Sequence, residues 1–216
     1  MKKVIFIISY FLIPWIPLFF YTHAFSSPWD SYTLSVILGV YAFVMICNQF
    51  ILAARPPLVL QIFGVKDLLS FHGTMPVLIL LFALAHRTLK LLNGFSLDSL
   101  QAKLGMTVWL LLALLVVFAA IFMAQTFWLH WALVRRLREW VYRKLGLTYP
   151  RSRLFHNLTV LGGLIILVHV WLASTSDFAT HGVGIALLTV WMLFSLVYYF
   201  GYRLNGRGKK GGLTGA

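Results

Sequence analysis

Ser70–Lys90 reads SFHGTMPVLILLFALAHRTLK. The stretch sets two imidazoles, His72 and His86, fourteen positions apart in a run apolar enough for lipid or a deep core. Fourteen steps of 100° return to within about 40° of the starting face of a helix, and a rise of about 1.5 Å per residue separates the rings by about 20 Å. Both histidines therefore fall on one face of one long helix, one near each end. Gly73 and Pro76, beside the first, would allow close approach and a bend.

The rest of the chain is as oily as this stretch. Hydrophobic residues make up 61% of the 216 and charged residues 11%, and the mean hydropathy is +0.87. A soluble domain carries about 25% charged residues, so the material for a water-facing surface is missing. Apolar runs near the ~20 residues that span a hydrocarbon core recur from end to end. The expected spans are Val4–Phe20, Tyr32–Ala53, Leu68–Leu92, Met106–Leu129, Asn157–Ala173 and Val183–Tyr202. Ser26-Ser27-Pro28, Pro56-Pro57, Asn93-Gly94, Pro150 and Ser174-Thr175-Ser176 punctuate them. Pro14, Pro17 and the poor cleavage site THAFSS make the first span a retained helix rather than a signal peptide. The reading is an all-α integral membrane protein, a six-transmembrane helix bundle over residues 1–205 with a short basic, Gly-rich tail at 206–216.

Charge sets the expected orientation. With the N-terminus inside, the inner segments hold +2, +1, +6 and +4, whereas the outer segments sum to zero. The whole excess of +13 then lies on one side, so both termini are expected in the cytoplasm of a cell, with a bacterial inner membrane the natural setting. That bias accounts for the basic composition without nucleic acid as a partner. The single cysteine, Cys47, excludes an internal disulfide, a cysteine metal cluster and covalent c-type haem attachment.

His23, His130 and His181 fall in loops or at span ends, but His72, His86, His156 and His169 lie at or within spans three and five. Those two spans run in the same direction, so the four histidines form two pairs at matched depth. One intramembrane histidine can serve as an interhelical hydrogen-bond partner. Four at matched depth suggest a function, because ionisable groups are costly in a bilayer. Imidazoles facing one another in a dry interior suit axial ligation of haem, and two pairs would mean two stacked b-type haems between spans three and five. The thirteen-residue spacing of His156 and His169 leaves them about 140° apart on an ideal helix. Either Gly162-Gly163 absorbs a kink, or His156 precedes regular winding. The glycines could equally serve close packing alone.

ARPPLVLQIFGVKDLLSFHGT, the spacing H-x13-H on the third span and H-x12-H (HNLTVLGGLIILVH) on the fifth resemble the ferric reductase-like transmembrane domain. Ferric reductases, NADPH oxidases and a bacterial haem-binding membrane partner of methionine sulfoxide reductase share this domain. The resemblance runs from about Arg55 to Arg203 and tolerates the unequal spacings. It implies bis-histidine ligation of an inner haem by His72 and His156 and of an outer haem by His86 and His169. Ferric reductases and NADPH oxidases continue into flavin and nicotinamide domains, whereas this sequence ends in GYRLNGRGKKGGLTGA without a nucleotide fingerprint. The expected donor is therefore a separate cytoplasmic flavoprotein carrying FAD or FMN, or a quinol.

Arg55, Arg151 and Arg153 are placed for inner haem propionates and Arg87 for outer ones, although cations there also anchor topology. WALVRRLREWVYRKLGL carries Leu133, Val134, Leu137, Trp140, Val141 and Leu145 at helical spacing opposite a basic face. It reads as an extension of the fourth helix on anionic membrane lipid, or as a docking surface for an acidic flavoprotein. His23, Asp30, Asp177 and His181 are the outer candidates for an acceptor or metal site. The expected function is a diheme b-type electron conduit from a cytoplasmic donor to ferric iron or oxygen outside, an oxidoreductase component without flavin and NAD(P)H domains of its own. The alternatives are a haem subunit serving a periplasmic reductase protein, or a haem-free transporter or scaffold.

Overall fold

A computed structural model describes residues 1–22, 30–123, 131–144, 146, 149–173 and 178–205. The described residues are helical throughout: α1 (Lys2–Leu12), α2 (Trp15–Thr22), α3 (Ser31–Ala53), α4 (Pro57–Leu92), α5 (Leu100–Phe122), α6 (Ala132–Lys144), α7 (Tyr149–His156), α8 (Leu158–Trp171) and α9 (Phe178–Asn205). Six stretches are long and apolar enough to cross a membrane: Lys2–Tyr21, Ser31–Ala53, Pro57–Leu92, Leu100–Phe122, Arg151–Trp171 and His181–Tyr202. Large apolar side chains such as Leu114, Val197 and Phe194 are exposed on the outside of the bundle. That distribution suits a lipid solvent and would be costly in water.

Local chemistry sets the helix boundaries. Asp30 caps α3 by accepting the Thr33 N–H at 2.6 Å, and this bond holds its carboxyl below the usual carboxylate range. Ser99 caps α5 by accepting from the Ala102 N–H. Pro14 separates α1 from α2, dividing the first span in two. Pro57 opens α4 at the first helical position, where its missing N–H costs nothing. The third span thus begins eleven residues before the expected Leu68, and its early part turns at Gly64, whose φ of 70° suits glycine. The fourth span also starts earlier than expected, at Leu100 rather than Met106, because the Ser99 cap overrides the hydropathy boundary.

α3 is the most enclosed of the spans. It packs on α4 along one side and on α9 along the other, while α5 packs on α8. Phe43, Val44, Met45, Cys47 and Met192 are buried, and Cys47 Sγ of α3 lies 3.9 Å from Met192 Sδ of α9. Trp191 ties those two helices by donating from Nε1 to Asn48 Oδ1 at 3.0 Å, and Trp109 of α5 donates to the Leu80 carbonyl of α4 at 3.0 Å. α4 is not packed on α7 or α8 as it is on α3; its histidine side chains face those of α7 and α8 across the space between them.

The irregularity demanded by the thirteen-residue spacing lies at Asn157. α7 ends at His156, Asn157 forms a turn, and α8 begins at Leu158. α8 runs unbroken through Gly162-Gly163, so these glycines serve packing. A Cβ at Gly162 would stand 3.1 Å from Leu112, and one at Gly163 would stand 2.9 Å from Phe50. Gly73 departs from expectation, since nothing lies within 4 Å of where its Cβ would be. The close approaches that matter to α4 come instead from its neighbours.

Candidate cofactor site

His72 and His86 lie on α4, His156 ends α7, and His169 lies near the end of α8. The structure brings them together as two facing pairs. The His72 and His156 rings have centroids 6.4 Å apart and planes at 89°. The His86 and His169 rings have centroids 6.4 Å apart and planes at 85°. Two imidazoles at that separation can present one nitrogen each to a common metal atom. Among the described residues, no group of three or more His, Cys, Asp and Glu side chains gathers to hold a bare ion.

The His86–His169 pair is held by backbone. His86 Nδ1 donates to the Ser35 carbonyl of α3 at 2.7 Å, and His169 Nδ1 donates to the Gln101 carbonyl of α5 at 2.7 Å. A carbonyl can only accept, so each Nδ1 carries the proton and each Nε2 keeps its lone pair, as a metal ligand requires. Glycines back both rings. A Cβ at Gly39 would stand 2.8 Å from His86 Nδ1, and one at Gly105 would stand 2.9 Å from His169 Cε1. Neither ring could sit where it does beside a larger residue.

The His72–His156 pair is held differently. The Nδ1 atoms of both rings are buried without a hydrogen-bond partner. Pro76 has no N–H to offer the His72 carbonyl four residues back, so the helix is locally loosened beside that histidine. Thr159 donates from Oγ1 to the His156 carbonyl at 2.8 Å, bridging the break at Asn157.

Each pair opens on its own cavity among α3, α4, α5 and α8. The cavity beside His86 and His169 has about twice the volume of the one beside His72 and His156. Ile46, Ile79, Leu80 and Leu112 line both and form an aliphatic wall common to the two. The larger cavity contains two cations, Arg87 and Lys90. Arg87 Nε is buried without a partner, while the Lys90 ammonium lies 3.9 Å from the Tyr32 ring centroid and 4.3 Å from that of Phe95. Tyr32 and Phe95 stack on each other at 5.6 Å, which fixes this aromatic clamp. Gln49, Thr159 and Tyr199 supply the polar groups of the smaller cavity.

No family model, curated protein or solved structure matches this chain. Function must be read from the site itself.

Among the arginines expected at the site, Arg87 lines the larger cavity. Arg55 takes a left-handed φ of 52° at the end of α3 and is exposed. Arg151 instead donates to the Gly146 carbonyl at 2.6 Å, and Arg153 is exposed on α7. Neither is among the residues lining the smaller cavity. His23, His130, Asp177 and Leu145 lie outside the described residues. Asp30 serves as the α3 cap, and His181 stacks on Tyr21 at 5.3 Å. Lys90 was missed, although its position one helical turn beyond His86 puts it on the same face. Ser35 and Gln101 act through backbone carbonyls, and no side-chain pattern could have revealed them.

Proposed function

We propose that this chain is a multi-pass membrane protein that binds two b-type haems and passes electrons across the bilayer. One observation carries the reading. With metal–imidazole bonds of about 2.0–2.1 Å and ring bonds of about 1.33 Å, two imidazoles on opposite sides of one metal atom have centroids about 6.3 Å apart. Both pairs stand at 6.4 Å, in separate cavities. Two protein ligands leave four positions to fill, and a porphyrin supplies those four together with a broad apolar body suited to the aliphatic linings.

The residues present fit that group. His72 and His156 would hold one haem, and His86 and His169 the other. Arg87 and Lys90 would neutralise propionates in the larger cavity, with Arg55, at the end of α3, the candidate for the smaller one. When bound, haem supplies a one-electron couple at each iron. The chain would contribute the histidine nitrogens that hold the group, fixed tautomers at His86 and His169, and an aliphatic wall shared by the two cavities. With two histidines committed to each haem, His72 with His156 and His86 with His169, an external acceptor would not need a place at the iron.

The charge asymmetry of the sequence supports placing His72 and His156 toward the cytoplasm. Electrons would enter there from a reduced flavoprotein or a quinol and leave past His86 and His169 to an external acceptor such as ferric iron or oxygen. With the cytoplasm negative, that direction is favoured by about 2.3 kcal/mol per electron per 100 mV. The test is the visible spectrum of protein purified after expression with ample haem. A Soret band, an α-band on dithionite reduction and two haems per chain are expected. A colourless protein under those conditions rules the reading out.

A further inference from the structure

The amphipathic helix α6 takes no part in the histidine sites, and its three faces differ. At about 100° per residue, Leu133, Leu137 and Trp140 fall within about 60° of arc. They are 79%, 42% and 52% exposed, an open apolar stripe on a short helix. Val134, Arg138, Val141 and Tyr142 occupy a second sector that turns toward the bundle, with Val141 buried and Arg138 over the Tyr142 ring at 5.3 Å. Arg135, Arg136, Glu139 and Arg143 occupy the third sector and are exposed.

The second sector fixes where the helix lies. Tyr142 donates from its hydroxyl to the Phe122 carbonyl at 2.7 Å, and its ring stacks on Phe122 at 6.1 Å. Phe122 is the last residue of α5, so α6 is bolted to the end of a helix long enough to cross a membrane. The end of a membrane-spanning helix is where hydrocarbon gives way to headgroups.

We propose that α6 is an interfacial helix that binds anionic phospholipid. Its Leu133–Leu137–Trp140 stripe lies on the acyl chains, and Arg135, Arg136 and Arg143 engage headgroup phosphates. A soluble acidic protein would complement the basic sector alone and would leave the apolar stripe in water. An anionic leaflet complements both sectors at once, with charge and apolar burial adding. Lys144, at the end of the apolar stripe, carries a long aliphatic stem that lets its ammonium reach the headgroups.

The test uses the full chain in nanodiscs of phosphatidylcholine, alone or mixed with phosphatidylglycerol. Spin labels are placed singly at Leu137→Cys and Arg135→Cys in a Cys47→Ala background. The Leu137 label should collide severalfold more with oxygen than with an aqueous nickel chelate, and the Arg135 label should show the reverse. Phosphatidylglycerol retained through purification should fall severalfold in the combined variant Arg135→Ser, Arg136→Ser, Arg143→Ser. Equal aqueous exposure of the two labels overturns the proposal, as does unchanged lipid retention. Shielding of both labels only on addition of a soluble acidic flavoprotein assigns the surface to protein docking instead. Haem content is not a readout here, so this result stands apart from that of the spectral test.

Discussion

The two histidine pairs share one centroid separation, 6.4 Å, but reach it by different means. His86 and His169 are tethered through Nδ1 to carbonyls of α3 and α5, and each is backed by a glycine. The Nδ1 atoms of His72 and His156 have no such tether; a proline loosens one helix beside them and a turn at Asn157 interrupts the other. One pair is preorganised by backbone that belongs to other helices. The other depends on where its own helices stop and bend. Equal spacing without equal support means that the two sites should respond differently to the same kind of injury.

The largest effect should come from the histidines proposed as haem ligands. His86→Ala or His72→Ala should each lower the haem-to-protein ratio from two to one, and the double variant to zero, as read by pyridine haemochrome. Independent losses would sharpen the comparison. Loss of both haems from either single variant would break it, by showing one cooperative site. Next come the glycines. Gly39→Val and Gly105→Val should expel only the haem between His86 and His169, because the new side chain meets a tethered ring. Overpacking of this kind costs about 1–3 kcal/mol. Gly73→Val is the matched control, and it should keep both haems because nothing stands near that position.

A subtler difference lies in charge. Lys90→Met should lower the midpoint potential of one haem, since a nearby cation favours the reduced state. For a charge about 10 Å away at an effective dielectric of about 20, the shift is on the order of tens of millivolts. Gln49→Leu, at the other cavity, should move neither potential comparably. Redox titration followed by absorbance resolves the two components. The smallest effect is expected of Thr159→Val, which removes the bond to the His156 carbonyl. A loss of about 1 kcal/mol should appear as a slightly lower melting temperature and weaker haem retention at the His72 site alone.

Much of this architecture was legible in the sequence. The apolar runs and the loop punctuation identified six candidate spans, and the depth-matching of His72 with His156 and of His86 with His169 follows from their spacing in helices of one direction. The thirteen-residue interval between His156 and His169 even signalled that a regular helix could not carry both. It could not say where the irregularity lay, since Gly162-Gly163 looked more pliable than Asn157. Packing accounts for the glycines instead: Phe50 and Leu112 stand where a side chain at either position would clash. The tethers were illegible for a different reason. Every residue has a carbonyl, so nothing at Ser35 or Gln101 distinguishes the two that meet an imidazole. Lys90 was visible, but its role depends on Tyr32 and Phe95 converging from distant parts of the chain.

The aliphatic wall of Ile46, Ile79, Leu80 and Leu112 has a consequence for what could pass from one cavity to the other. Proton conduction requires an unbroken file of groups that can both give and take a hydrogen bond, and hydrocarbon side chains interrupt any such file. A hydrated ion would have to shed its water there, at a prohibitive cost in so apolar a medium. Electrons need neither water nor hydrogen bonds to cross a short gap. On the proposed haem reading, these four hydrocarbon side chains would hinder ions between the two cavities while leaving electrons free to cross.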